Sequence, residues 1–156
     1  KSPLGVGAIA PSSQALASAM TSDLSCDDGP IVELGPGTGV FTSAILNRGV
    51  MASQVAVFEL GENFVQQLSK QYPQALIVHG DATSIAHRLP FSLGSVQAVI
   101  CGLPLVSMPA YKVFRIVASS FQCLKEGGEF RLFTYGHRCP ISKDILERLN
   151  LTTHRS

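Results

Sequence analysis

Glu33 stands two residues ahead of three glycines in the stretch "IVELGPGTGV" (Ile31–Val40), where Gly35, Gly37 and Gly39 fall at alternate positions. Glycines let a backbone turn tightly and pass close to a ligand, because no Cβ stands in the way. The acid at the mouth of the turn narrows the choice of ligand. The phosphate-cradling pattern GxxxxGK[ST] is absent. The GxGxxG spacing of dinucleotide-binding turns fails as well, since the third glycine comes one residue early. Either ligand would set a phosphate beside Glu33, a repulsive pairing. Two more carboxylates follow at the ends of apolar runs, Glu59 in "VAVFEL" and Asp81 in "IVHGDA".

S-adenosylmethionine fits these residues. It has no phosphate and carries a sulfonium and an ammonium, so Glu33 and the backbone of Leu34, Gly35, Gly37, Thr38 and Gly39 suit its methionine part. Glu59 can accept both ribose hydroxyls, as acids at second-strand ends do in dinucleotide folds. Asp81 can accept from the adenine amine while Leu60 and Ala82 cover the ring faces. An acid at a strand end is by itself often just solvated. Three acids on successive strand ends, where ligands bind in open parallel sheets, make a stronger pattern.

The elements that must hold these acids alternate along the chain. Runs rich in Val, Ile and Phe read as strands at Ile31–Leu34, Gln54–Leu60, Ala75–His79, Val96–Cys101 and Glu129–Tyr135. Helical spacing falls between and after them at Gly39–Arg48, Glu62–Gln71, Tyr111–Leu124 and Ile141–Leu149. The alternation predicts an α/β fold with a mostly parallel sheet, right-handed crossovers and helices on both faces. "KEGGEF" (Lys125–Phe130) reads as a turn between the last long helix and the fifth strand. Ahead of the first strand, Ser12 or Ser13 can cap a helix running through Met20, and Thr21–Pro30 reads as a loop. One domain is expected over residues 1–156, with a leader over 1–20 and an α/β core over 30–156. The sequence starts at Lys1 and stops at "LTTHRS", where a further strand would begin. A trimmed chain lacking the last strand or strands is therefore expected.

The 156 residues are 46% apolar and 15% charged, a globular makeup, and the net charge of +1 argues against a nucleic-acid partner. Cys26, Cys101, Cys123 and Cys139 are scattered without a CxxC pair, and the four histidines show no HExxH spacing, so no metal is expected. Free thiols in a reducing cytoplasm are the expected state. The longest apolar stretch, Val96–Pro109, is broken by Gly102, Pro104 and Pro109 and is too short to span a bilayer.

"ELGPGTG", "FEL", "GDA" and "CGLPL" (Cys101–Leu105) together resemble the class I S-adenosylmethionine-dependent methyltransferases, whose fold is Rossmann-like. More narrowly, "GAIAPSSQALASAM", "VELGPGTGVFTSAIL", "GLPLVSMP" and "FTYGHRCP" resemble the bacterial phospholipid N-methyltransferases, which are similar to the ribosomal RNA adenine dimethyltransferases. The resemblance implies that the leader covers the cofactor and that Gly102 and Leu103 belong to the cofactor site. Base-methylating relatives carry "NLPY" at the fourth strand's end, where the Asn oxygen accepts from the exocyclic amine and the aromatic stacks on the base. Gly102 to Leu105 offer neither.

The resemblance therefore implies methylation of the phosphatidylethanolamine amine by direct displacement, at the surface of an anionic membrane on its cytoplasmic side. Of the catalytic candidates, Tyr135 would orient the amine, and His137 or Arg138 would meet the lipid phosphate. An apolar path for an acyl chain would run along "LPLVSMP". Two alternatives remain open: an RNA adenine N6-methyltransferase, and a cofactor-binding fragment without activity.

Overall fold

A computed structural model describes residues 11–134 and 137–155. Five parallel strands form its sheet: β1 (Ile31–Leu34), β2 (Val55–Glu59), β3 (Leu76–His79), β4 (Val96–Cys101) and β5 (Leu124–Leu132), in the order β3-β2-β1-β4-β5. The chain winds outward from β1 through β2 to β3, then crosses to β4 and β5. The strand order thus reverses between β1 and β4, the place where open α/β sheets bind ligands. Leu34 pairs with both Phe58 and Cys101, so the tips of β1, β2 and β4 lie level.

β1 and β4 are buried throughout, because helices cover both faces. Alternation sorts their side chains. Val32, Leu34, Ala56, Phe58, Val99 and Cys101 pack with Val113, Ile116 and Val117 of α5 (Ala110–Cys123), Ile145 of α6 (Lys143–Arg148) and Ile85 of the single-turn α4 (Ile85–Arg88). Ile31, Val55, Val57, Ala98 and Ile100 pack on the other face with Ile45 of α2 (Val40–Asn47) and Leu68 of α3 (Glu62–Gln71). Met20, the last residue of α1 (Pro11–Met20), joins this second cluster. The doubly wound architecture agrees with the expectation from sequence.

Several boundaries differ. Among the described residues α1 spans Pro11–Met20, so Ser12 and Ser13 fall within the helix rather than ahead of it. α6 is shorter than expected: the Ser142 hydroxyl accepts from the Ile145 N–H at its start, and Asn150 turns left-handed (φ 52°) just beyond its end. β5 runs directly off α5 with no separate turn between them. The "KEGGEF" glycines instead sit inside that strand. Its register jumps from Val96↔Leu124 to Ala98↔Glu129, so two steps along β4 face five along β5, and Gly127 takes a positive φ of 75° in the excess. A bulge absorbs the residues that read as a turn. β5 stops at Leu132, short of the expected Tyr135, which lies outside the described residues.

Ile116 has no exposed surface and faces the larger core cluster. Ile116→Ala is expected to destabilise the fold by about 2–5 kcal/mol through lost burial and the cavity left behind, read as a lower denaturation midpoint at unchanged slope.

Candidate active site

The turn between β1 and α2 takes left-handed backbone at each of its glycines: φ is 65° at Gly35, 56° at Gly37 and 84° at Gly39. Two further hydrogen bonds fasten it beyond the strand tips. The Gly35 N–H donates to the Phe58 carbonyl at 3.0 Å, and the Gly102 N–H donates to the Leu34 carbonyl at 2.8 Å. The tips of β1 and β4 are close enough that a Cβ on Gly102 would stand 2.7 Å from the Gly35 carbonyl oxygen. Around Gly37, by contrast, a Cβ would meet nothing within 4 Å. Tyr72, at the C-terminal end of α3, braces the turn from the side. Its hydroxyl donates to the Gly39 carbonyl at 3.3 Å and shares a 2.5 Å hydrogen bond with the Ser43 hydroxyl.

Glu33 lies beneath this turn and has no exposed surface. The Thr42 hydroxyl, on the first turn of α2, donates to its Oε2, while Oε1 has no hydrogen-bond partner among the described residues. Burial pushes the Glu33 carboxyl up to about 7; Thr42 opposes the rise and the nearby charge of Glu59 adds to it. The acid expected at the mouth of the turn is thus enclosed below it, half-satisfied and able to change charge near neutrality. The sequence reading overlooked Thr42. Its one signal was a hydroxyl on the helix that the glycines open.

The other two acids flank this centre. Glu59 ends β2, half-buried, with Oε1 accepting from the Gly61 N–H at 2.7 Å. Asp81 follows β3, exposed, with Oδ1 accepting from the Thr83 N–H at 2.8 Å, which caps the short turn Ala82–Ser84. That hydrogen bond, with the charges of Lys112 and Arg115 adding, holds the Asp81 carboxyl below the ordinary range. The second oxygen of Glu59 makes no hydrogen bond among the described residues, whereas the Asp81 carboxyl has the Thr83 side chain as a further partner. Leu60 is 66% exposed beside Glu59, and Ala82 is half-buried beside Asp81.

Two cavities open at the strand tips. One, of about 270 Å³, is lined by Gly35, Pro36, Gly37, Thr38 and Val40 of the turn, by Phe41 and Gly102, and by Ser13 and Leu16 of α1. The other, of about 870 Å³, shares Leu16, Phe41 and Gly102 with it and extends along Leu103, Leu105, Val106, Leu132 and Phe133. Thr134, His137, Arg138 and Cys139 give the larger cavity polar lining. Cys101 also borders it, and burial raises that thiol to about 11, so it stays protonated and is no nucleophile near neutral pH. Of the residues expected at the cofactor site, Gly35, Gly37, Thr38 and Gly102 come together on the smaller cavity, and Leu103 lies on the larger. Glu33, Leu34, Gly39, Glu59, Leu60, Asp81 and Ala82 line neither. Of the expected catalytic pair, His137 lines the larger cavity, and Tyr135 lies outside the described residues. Among the described residues no group of three His, Cys, Asp or Glu could hold a metal ion.

Residues 31–128 match the methyltransferase domain family. Ribosomal RNA small subunit methyltransferase A of Bradyrhizobium diazoefficiens is 39% identical over 82 residues, which are 50% of this chain and 28% of that protein. The protein of the same name from Clostridium perfringens is 27% identical over 128 residues, 80% of this chain and 40% of the relative. The chain thus spans less than half the length of these curated relatives. Among solved structures, a TehB-like SAM-dependent methyltransferase from Corynebacterium glutamicum superposes with a TM-score of 0.61 at 18% identity, covering 86% of this chain and 68% of that one. The glycopeptide N-methyltransferase MtfA complexed with S-adenosyl-L-methionine gives 0.59 at 21% identity, covering 85% and 58%. At these identities the likeness shows the fold, which is the Rossmann-like methyltransferase fold.

The buried carboxyl has a consequence for stability. Its folded pKa of about 7 lies above the ordinary value of 4.5. Below pH 4.5 the group is protonated whether the chain is folded or not, and it exacts no penalty. Between 4.5 and 7 the unfolded chain ionises while the folded one keeps its proton, so stability falls as pH rises; above 7 the loss stays constant. Glu33→Gln is expected to remove this fall, about 3 kcal/mol in total, from the pH profile of the ligand-free protein. Parallel profiles for the two proteins in chemical denaturation would contradict it.

Proposed function

The chain belongs to the methyltransferase domain family, and from that premise we propose that it methylates the amine of phosphatidylethanolamine with S-adenosylmethionine as donor. The bound donor supplies a methyl group on a sulfonium, which the lone pair of an acceptor amine takes by direct displacement. Three features of the strand tips fit such a cationic ligand: the partnerless Oε1 of Glu33 under the turn, the open space at Gly37, and the second oxygen of Glu59.

In this reading Gly35, Gly37 and Gly39 bring backbone against the methionine part, along Leu34 and Thr38. Glu33 acts from beneath the turn through its charge. Glu59 accepts from the ribose hydroxyls, Asp81 accepts from the adenine amine, and Leu60 and Ala82 cover the ring. Gly102 and Leu103 form the wall between donor and acceptor. Alignment of the amine and exclusion of water supply most of the acceleration.

The observation that carries the lipid reading is the larger cavity. It shares a wall with the glycine turn, is apolar along Leu103, Leu105, Val106, Leu132 and Phe133, and offers His137 and Arg138 to an anionic group such as a lipid phosphate. Tyr135 is proposed to orient the amine. Among the described residues no helix is long and apolar enough to cross a membrane. The proposed contact is with the surface of an anionic bilayer, on its cytoplasmic side.

A second reading, methylation of adenine in ribosomal RNA, draws support from the names of the relatives. Gly102 argues against it. An Asn there, the acceptor that base methylation uses, would drive its Cβ into the Gly35 carbonyl.

Full-length protein given S-adenosylmethionine and anionic vesicles containing phosphatidylethanolamine is expected to yield N-methylated lipid and to leave unmodified ribosomal RNA unchanged. RNA methylation without lipid product would overturn the lipid reading in favour of the second. In calorimetry, Glu59→Ala is expected to weaken donor binding by about 1–3 kcal/mol through lost charged hydrogen bonds. Unchanged affinity would remove Glu59 from the ribose.

A further inference from the structure

α1 carries Ser13 and Leu16 on the walls of the cavities, Ser13 on the smaller and Leu16 on both. These residues lie seven and four positions before Met20, so all three share one face of the helix. The position of that face over the glycine turn depends on what fixes the helix's C-terminal end. α1 has no basic residue in its own last turn to meet its free carbonyls. The Thr21 and Ser22 hydroxyls donate to the Ala17, Ser18 and Ala19 carbonyls, and two arginines from elsewhere meet Ser18 and Met20. Arg48, at the end of α2, donates to the Ser18 carbonyl and to its hydroxyl, both at 2.9 Å. Arg131, on β5, donates from Nη1 to the Met20 carbonyl at 2.8 Å.

Arg131 does more than cap. Its Nη1 and Nη2 reach the two carboxylate oxygens of Asp23, three residues past the helix, at 2.7 and 2.8 Å. Its Nε donates to Glu129 at 3.0 Å, which holds the guanidinium from the strand side. A fork matched to a carboxylate fixes direction as well as distance. Met20 and Leu24, before and after Asp23, pack on the core cluster, and the clamp adds a tie to β5. On this face of the sheet the core cluster takes residues from β1, β2 and β4 and none from β5. The Arg131 side chain is 17% exposed, whereas Asp23 is 68% exposed, so the clamp is rooted in the sheet and open to solvent on the helix side.

We infer that Arg131 and Asp23 are positioning residues for the methyl donor: their ion pair latches α1 across the glycine turn and sets how long the donor stays bound. This rests on the reading of the smaller cavity as part of the donor site. The pair touches neither cavity. It acts through α1, by keeping Leu16 and Ser13 against the wall that Phe41 and Gly102 complete. Loosening the latch speeds exit of the donor and leaves the carboxylates that recognise it in place.

The test measures the dissociation rate and affinity of S-adenosylmethionine on the full chain, together with hydrogen exchange along residues 13–20 and along β1. Arg131→Met is expected to raise the dissociation rate about five-fold or more, weaken affinity in proportion, and speed exchange in residues 13–20 with β1 unchanged. Asp23→Asn is expected to give the same changes at smaller size and to add little on top of Arg131→Met. Arg131→Lys, which keeps the charge and loses the fork, is expected to recover part of the residence time. Should Arg131→Met fail to fold, Asp23→Asn, on an exposed acid, decides the matter. Wild-type binding with unchanged release from the folded variants would overturn the latch alone, even if melting temperatures fall. A wild-type chain that takes up no donor would overturn the latch and the donor-site reading together.

Discussion

A carboxyl group enclosed at the tip of the central strand governs this structure. Among the described residues no other Asp, Glu, Lys, Arg or His is buried. Glu33 has one hydrogen-bond partner, Thr42, and one oxygen with none. An acid placed so costs stability, because desolvation penalises its charged form and no cation among the described residues compensates it. Its neighbours on this sheet face are apolar apart from Glu59: Ile31 on its own strand, Val55 and Val57 on β2, Ala98 and Ile100 on β4, with the Glu59 carboxylate one step beyond Val57. A hydrophobic residue would pack there at less cost. In the reading proposed here, that half-satisfied acid under the glycine turn serves a ligand of opposite charge.

The close approach of β1 and β4 follows from the same place in the sheet. Gly102 and Gly35 let two strand tips meet where the strand order reverses, and Gly102 makes with Leu16 and Phe41 a wall common to both cavities. In the proposed reading, donor and acceptor face each other across that wall. The wall also limits what the acceptor side can use. Gly102 has no space for a side-chain amide, and the lining beyond it is mostly apolar. The third member of the wall, α1, meets the edge strand β5 through the Arg131 clamp, while Met20 at its end packs on the core cluster under α2.

Much of this was legible in the sequence. β1, β2 and β4 stood out because strands covered on both faces are apolar nearly throughout, and Glu33, Glu59 and Asp81 were visible as acids near the ends of β1, β2 and β3. The burial of Glu33 was less visible. It follows from the pleat, which puts Glu33 on the same face as Ile31 under α2, and from the turn folding back over it. Lys125–Phe130 misled because two adjacent glycines serve a bulge as readily as a turn. Tyr72 and the Arg131–Asp23 pair left no local signal: the first lies 33 residues from Gly39, and the second joins positions 108 apart. Only the fold brings them together.

The central claim is that the carboxylate under the glycine turn attracts a positively charged donor. Calorimetric titration of the wild-type protein and Glu33→Gln with S-adenosylmethionine, from pH 5 to pH 8, tests it most directly. The account predicts that wild-type affinity rises as pH passes through about 7, where Glu33 gains its charge, and that the variant binds more weakly at pH 8 with a flatter profile. Equal affinities for the two proteins across that range would contradict it.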